Sequence, residues 1–487
     1  MRSHSILFTR FLFITFSSVL FVMLSECKDV SENNDKYVAD DTCSFTIQNI
    51  EIHRISDQLL GFNVVYPHEK DQIWEDGKIA GFLKEIPASL IRYPGGTVAS
   101  FYHWNALSGN GWADSFDPEN QLANKPGSEF MDVDEYIALI KKTGATPLIG
   151  INMSSAWRWN RLEEGIQEAL ALMDYCRNKN LNVKYWYLDN EPYQPDSNGG
   201  SKTIEEYAGL VNQFAVRMRE FDPDIELIVN WNSAFKNRRS EYQKLLSIAG
   251  ANIQIIDGHW YWSWSNPTFE KWLSTTPMEV WTGDSYMAEI DYFRQMVKEF
   301  GYPEIKLASL EWNVGPVKEN QLTPHQCALI QSEMLMQFIM GDLDMATFWP
   351  LHWPDKNNLI RSFINTENNS TQPNFEIFKF MGGIQGYDLL KTVAPEQLSH
   401  TMYFGGTSEN RDTLKICFLN KNPFTVQVNV GSVFFNDMTL HEIKAFVLTE
   451  SGKNSEVNLL SPTYRGNSLL QFISPEISLT MITFVKK

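Results

Sequence analysis

Two short runs carry residues with chemistry in them. VKYWYLDNEP (183–192) brings Asn190 and Glu191 to the end of an apolar stretch, and IKLASLEWN (305–313) does the same for Glu311. Val, Tyr, Trp, Ile and Leu suit a packed, pleated surface, whereas Pro192 cannot donate to a β-ladder. Burying an amide and a carboxylate at a strand end is costly, so the choice is between a plain turn and a site. Two carboxylates in different surroundings can divide acid and base work. One is held protonated by an apolar setting near a second negative charge, and the other is kept ionised by hydrogen-bond donors.

Such a pair needs a frame, and the chain supplies a repeating one. Apolar runs at 59–66, 89–96, 146–153, 183–192, 225–232, 253–262, 305–313 and 345–353 alternate with amphipathic segments such as 134–144, which Gly144 should cap, and 204–221. Continuous apolar runs mean strands covered on both faces, hence parallel β. The expected fold is α/β, a (β/α)8 TIM barrel over 57–384, because a doubly wound sheet would show a Gly-rich phosphate turn that is missing here. From 385 to 487 short alternating runs separated by Gly, Asn, Pro and Ser predict an antiparallel β-sandwich. The alternating stretch 44–56 should contribute a strand to it.

In a barrel the functional residues stand at the C-terminal ends of strands. Glu191 ends the fourth and Glu311 the seventh, so the two acids face each other across the mouth. The other strand ends and loops offer Arg92, Asn152, Asn190, Trp231, His259, Tyr261 and Trp349, with Trp157 and Trp262 in aromatic loops. His259 and Tyr261 alternate and point the same way, although a satisfied core histidine is the plain alternative. Arg92 fits substrate contact or an ion pair with the carboxylates, and each Trp fits a sugar platform or a loop anchor. Opposed carboxylates and aromatic rings are the requirements of glycoside hydrolysis. No metal or cofactor is called for: Asp132 and Asp134 suit a helix entrance, and Gly95–Gly96 suits a tight turn.

YLDNEP and SLEWNVG resemble the acid/base and nucleophile motifs of the clan A retaining glycoside hydrolases. IRYPGGTVASFYHWN (91–105) is similar to the second-strand motif of the α-L-arabinofuranosidase family. The resemblance implies Glu191 as acid/base, Glu311 as nucleophile, Asn190 on the sugar hydroxyl beside the anomeric carbon, and Arg92, His259 and Tyr261 lining that subsite. Thr97 stands where the family has Asn, and GFNVVYP lacks the family's first-strand acid. The expectation is a retaining O-glycosidase acting on a plant or algal polysaccharide or oligosaccharide. The alternatives are an endo-acting hydrolase on the same barrel and a non-catalytic surface glycan-binding lipoprotein.

The remaining signals concern location and partners. The 487 residues are 43% hydrophobic with 15 Trp, ample for two cores. A net charge of −18 argues against nucleic acid and leaves a carbohydrate as the expected partner. Arg2, Arg10 and an apolar run of 14 residues predict a signal peptide at 1–26 and export, followed by a polar linker at 27–43. LSEC, ending at Cys27, suits either lipidation there or ordinary cleavage nearby. Cys43, Cys176, Cys327 and Cys417 show no framework spacing. Oligomeric state is left open.

Overall fold

A computed structural model describes residues 39–105, 112, 130–194, 201–318, 321–353, 355–432, 440–450, 455–456 and 469–486. The targeting segment, Cys27 and most of the polar linker lie outside the described residues. Strand β1 (Asp41–Arg54) precedes the barrel strands β2 (Gly61–Asn63), β3 (Leu90–Tyr93), β4 (Thr146–Ile151), β5 (Tyr185–Leu188), β6 (Glu226–Asn230), β7 (Ile255–Asp257), β8 (Trp260–Trp262), β9 (Lys306–Val314) and β10 (Met345–Phe348). Their order is β10-β2-β3-β4-β5-β6-β7-β9, with β10 also paired to β9, so the parallel sheet closes into an eight-stranded barrel. β8 continues strand six beyond a break at Gly258 and pairs with the extended end of β9, matching Tyr261 with Asn313. The barrel wall is therefore raised on the side of strands six and seven.

Alternation sorts the side chains. Leu90, Leu148, Tyr185, Tyr187, Ile228, Ile255, Ala308, Leu310 and Met345 fill the barrel interior. Their neighbours Ile91, Ile149, Trp186, Leu188, Leu227, Val229 and Leu307 pack outward under the helices. The helices begin on strong caps. Asp132 and Thr203 each form a capping box, with Glu135 and Glu206, and Gly144 takes a left-handed φ of 78° to end the helix Val133–Thr143. The helix Pro324–Met340 is buried nearly all round because it lies between the barrel and the C-terminal sheet.

After the small hairpin β11 (Ile364–Asn365) and β12 (Ser370–Thr371), the chain adds β13 (Asp388–Val393), β14 (Thr401–Thr407), β15 (Thr413–Asn420), β16 (Val426–Ser432), β17 (Leu440–Thr449), β18 (Ser455–Glu456), β19 (Leu469–Ser474) and β20 (Ser478–Lys486). With β1 they form one nine-stranded sheet rather than two separate layers. β1 is antiparallel to β13 but parallel to β16, so the sheet is mixed. It curls on itself: Phe418 of β15 lies 5.9 Å from Phe472 of the edge strand β19, around a core shared with Phe45 and Ile482. Cys43, Cys176, Cys327 and Cys417 are buried free thiols. Among the described residues no helix is long and apolar enough to cross a membrane.

Candidate active site

Two local departures from regular backbone present the acids. On β9 the pairing with β10 runs from Ser309↔Ala346 to Trp312↔Phe348, one residue more on β9 than on its partner. This bulge resets the alternation. Glu311 turns into the mouth and Trp312 packs outward against Phe348 and Phe378. After β5 the chain takes positive φ at Asp189 (67°) and Glu191 (42°), conformations that cost energy for residues with a Cβ. The turn is pinned from behind. Asp189 and Lys202 form a fully buried ion pair at 3.2 Å, and Ser154 donates to Asp189 while accepting from Lys202.

The two carboxyls then meet around His259. Its Nδ1 lies 3.0 Å from Oε1 of Glu191 and 3.4 Å from Oε2 of Glu311. Those two oxygens are thus no farther apart than the two distances laid end to end, so both carboxyls border one shared space. On the other side, His259 Nε2 lies 3.0 Å from Asp257 Oδ2. Arg92 is fully buried over the Tyr187 ring and donates to Oε1 of Glu311 (2.9 Å), Oδ1 of Asn190 (2.7 Å) and Oδ1 of Asn63 (2.9 Å). Tyr261 donates its hydroxyl to Oε2 of Glu311 at 2.7 Å, and Tyr193 donates to Oε1 of Glu191 at 3.0 Å.

The charges set the protonation. Burial of His259 favours the neutral ring, but Glu311, Asp257 and Glu191 together outweigh it and push its pKa up to about 10. Burial likewise works to raise Glu191, yet the hydrogen bond and charge of His259 bring it below the ordinary carboxylate value. This reverses the expectation of an acid kept protonated by apolar surroundings and a neighbouring negative charge, because a cation stands between the two carboxyls.

Arg92, Asn190, His259, Tyr261, Glu191 and Glu311 are brought together. The other expected residues make different contacts. Asn152 folds back on Ser155 and the Tyr102 carbonyl at the start of the short helix 154–158. Trp231 is buried, donates to Glu241 and supports Tyr193 edge-on at 5.5 Å. Trp349 lies over Gly96, where an added Cβ would stand 2.2 Å from its ring, a close approach that only Gly permits. Trp157 is half-buried beneath Lys202. Trp262 is only 3% exposed and faces the core, because on β8 it alternates with the inward Tyr261. Four polar residues that the strand ends did not single out complete the network. Asn63 holds Arg92, while Asn230 accepts from the backbone of Glu191 and donates to Asp257. Asn63, Asn230 and Asp257 each interrupt an otherwise apolar run, which was a usable signal; Tyr193, just past Pro192, gave none. Among the described residues no cluster is suited to hold a metal ion.

A closed (β/α)8 barrel with two glutamates facing each other at its mouth is an arrangement suited to glycoside hydrolysis. Residues 82–276 match the profile of the alpha-L-arabinofuranosidase 1 domain. Alpha-L-arabinofuranosidase C of Emericella nidulans is 34% identical over 170 residues, 30% of each chain. An intracellular exo-alpha-(1->5)-L-arabinofuranosidase of Streptomyces lividans is 25% identical over 301 residues, 55% of this chain and 42% of that protein. The chain thus aligns with less than half the length of either relative. The structure of an alpha-L-arabinofuranosidase from Thermotoga maritima in its arabinose complex superposes with a TM-score of 0.68 at 18% identity, over 92% of this chain and all of that one. CelM2, a bifunctional glucanase-xylanase from a metagenome library, shares the fold with a TM-score of 0.64 at 16% identity, over 92% of this chain and all of that one. Over residues 82–276 the chain is similar to the α-L-arabinofuranosidase family, and its fold is that of the solved arabinofuranosidase structures.

Proposed function

We propose that the chain is a retaining glycosidase that removes L-arabinofuranosyl units from plant or algal polysaccharides or oligosaccharides. The observation that carries this reading is the sharing of one His259 nitrogen by both carboxyls, which keeps them close enough to act on a single anomeric carbon. In the first step an oxygen of Glu311, oriented by Arg92 and Tyr261, bonds to the anomeric carbon. The glycosidic C–O bond breaks, and Glu191 gives its proton to the departing oxygen. In the second step Glu191 takes a proton from water, whose oxygen displaces Glu311 from the sugar with configuration kept. The proton for the first step is at hand: moving the one on His259 Nδ1 across the bond to Glu191 leaves a neutral imidazole and a neutral acid.

The test is proton NMR of the first-formed product from an aryl α-L-arabinofuranoside and from a panel of other aryl glycosides. Release of α-arabinofuranose from the first supports the reading. Turnover confined to another sugar, or an inverted product, overturns it. A second reading, an endo-acting hydrolase that uses the aromatic loops as extra subsites, predicts oligomers rather than single sugars from a polymer digest. Export is part of the proposal, supported by Arg2, Arg10 and the apolar run that follows. Retention of the full chain in the cytoplasm of a bacterial host would overturn it.

A further inference from the structure

Trp264 stands out among the aromatic residues of the mouth. It is 61% exposed, whereas the sites of Arg92, Asn190, His259 and Glu311 are buried. Its ring meets Tyr261 edge-on at 5.0 Å, and the hydroxyl of Tyr261 lies 2.7 Å from Glu311. The turn that carries it is stiff. Ser263 takes a φ of 53° and donates to the Asn266 carbonyl, Lys271 donates to Ser263, and Gln321 donates to Asn266. Gly315 lets the backbones touch: an added Cβ there would lie 2.7 Å from the Trp264 Cα. A large apolar ring held rigidly in water beside a site gains nothing for folding and is preorganised to cover an apolar surface.

The geometry points to the ligand. A sugar whose anomeric carbon meets Glu311 sits among the buried groups at the base of the mouth, Arg92 and Asn190. The departing group therefore leaves toward the open side. Glu191, the proton donor in the proposed mechanism, has 21% side-chain exposure against 7% for Glu311, and the exposed Trp264 ring packs on Tyr261, which bonds Glu311. We infer that Trp264 is the platform of a leaving-group subsite, stacking on the apolar face of a sugar ring. The substrate is then an arabinofuranosyl unit attached to another sugar rather than to a small aglycone. This rests on the glycosidase reading above.

The experiment compares two substrates on the full chain. One is an arabinofuranosyl disaccharide; the other is arabinofuranosyl fluoride, whose leaving atom carries no ring. Trp264→Ala should lower kcat/KM on the disaccharide about three- to tenfold, mainly through KM, and leave the fluoride within about twofold. Trp264→Phe should restore most of the loss. Trp281→Ala, a similarly exposed tryptophan ahead of the helix Tyr286–Glu299, should change neither substrate. Equal losses on both substrates, no loss on the disaccharide, or a matching loss in Trp281→Ala would each overturn the platform. If the wild-type chain turns over neither substrate, the glycosidase reading fails instead.

Discussion

Two of the buried charge clusters among the described residues are handled in opposite ways. Between the helix Pro324–Met340 and the C-terminal sheet, Glu333 meets Lys421 at 3.0 Å, both fully buried. Its oxygens also accept from Trp272 Nε1 and the Met278 amide, each at 2.6 Å. There burial wins: Glu333 is pushed up and Lys421 down, each toward its neutral form, with the attraction between them only partly offsetting it. At the barrel mouth the charges win: His259 is pushed up and Glu191 down, each toward its charged form. The difference lies in stoichiometry. One cation faces one anion in the interface, whereas at the mouth His259 and Arg92 stand against three acids, Glu191, Asp257 and Glu311. A pair that is closed on itself suits holding two parts together, and a cluster with unspent negative charge suits moving a proton.

The largest test of that contrast removes one anion from the open cluster. Glu311→Gln should cut kcat by about 10⁴-fold or more on every substrate, because it removes the carboxylate that Arg92 and Tyr261 orient for the bond to the anomeric carbon. Glu191→Ala should cost about 10²–10⁴-fold on poor leaving groups and far less on activated aryl glycosides, which need little protonation. Equal losses on both substrate types would separate Glu191 from the acid role. Lys421→Met should cost about 3–5 kcal/mol of stability in denaturant titration, since it strands a buried carboxyl, while kcat at saturating substrate stays unchanged. A fall in kcat there would show that the interface pair is coupled to the mouth.

The pH response sharpens the same comparison. His259 is raised from about 6.5 to about 10 on folding, so its stabilising charge is fully present below pH 6.5 and is lost as the pH climbs through about 10. Glu191 is lowered, so its contribution is present above the ordinary carboxylate value and is lost as the pH falls through the depressed one. Melting temperature should therefore decline from about pH 6.5 toward pH 10, and His259→Gln should flatten that decline. An unchanged slope in the variant would place the alkaline transition elsewhere.

Most of the frame could be read in advance because eight apolar runs leave few topologies open, and the acids stood out as polar endings to two of them. What escaped depends on backbone detail that residue type does not encode. The bulge that turns Glu311 inward and the positive φ at Asp189 and Glu191 are invisible as patterns. The parallel pairing of β1 with β16 is set by the curl of the whole sheet. Trp262 is a different case. The alternation that sends His259 and Tyr261 inward sends Trp262 outward, so strict use of period two would have passed over it. The charge on His259 required knowing that three acids from separate runs converge there.

The smallest predicted effect lies behind the acid. Ser154 donates to Asp189 and accepts from Lys202, so it fixes how the buried pair grips the turn that carries Glu191. Ser154→Ala removes both bonds without removing either charge, and the expected stability loss is about 1–3 kcal/mol. A turn held at positive φ relaxes when its support weakens, and relaxation moves the Glu191 carboxyl away from the departing oxygen. Proton donation should suffer more than nucleophilic attack, because Glu311 is held independently by Arg92 and Tyr261. The ratio of rates on activated and unactivated glycosides should therefore rise about three- to tenfold, with kcat on the activated one almost unchanged. A constant ratio alongside reduced stability would make the grip on the turn purely structural and confine the machinery of the mouth to the groups around His259.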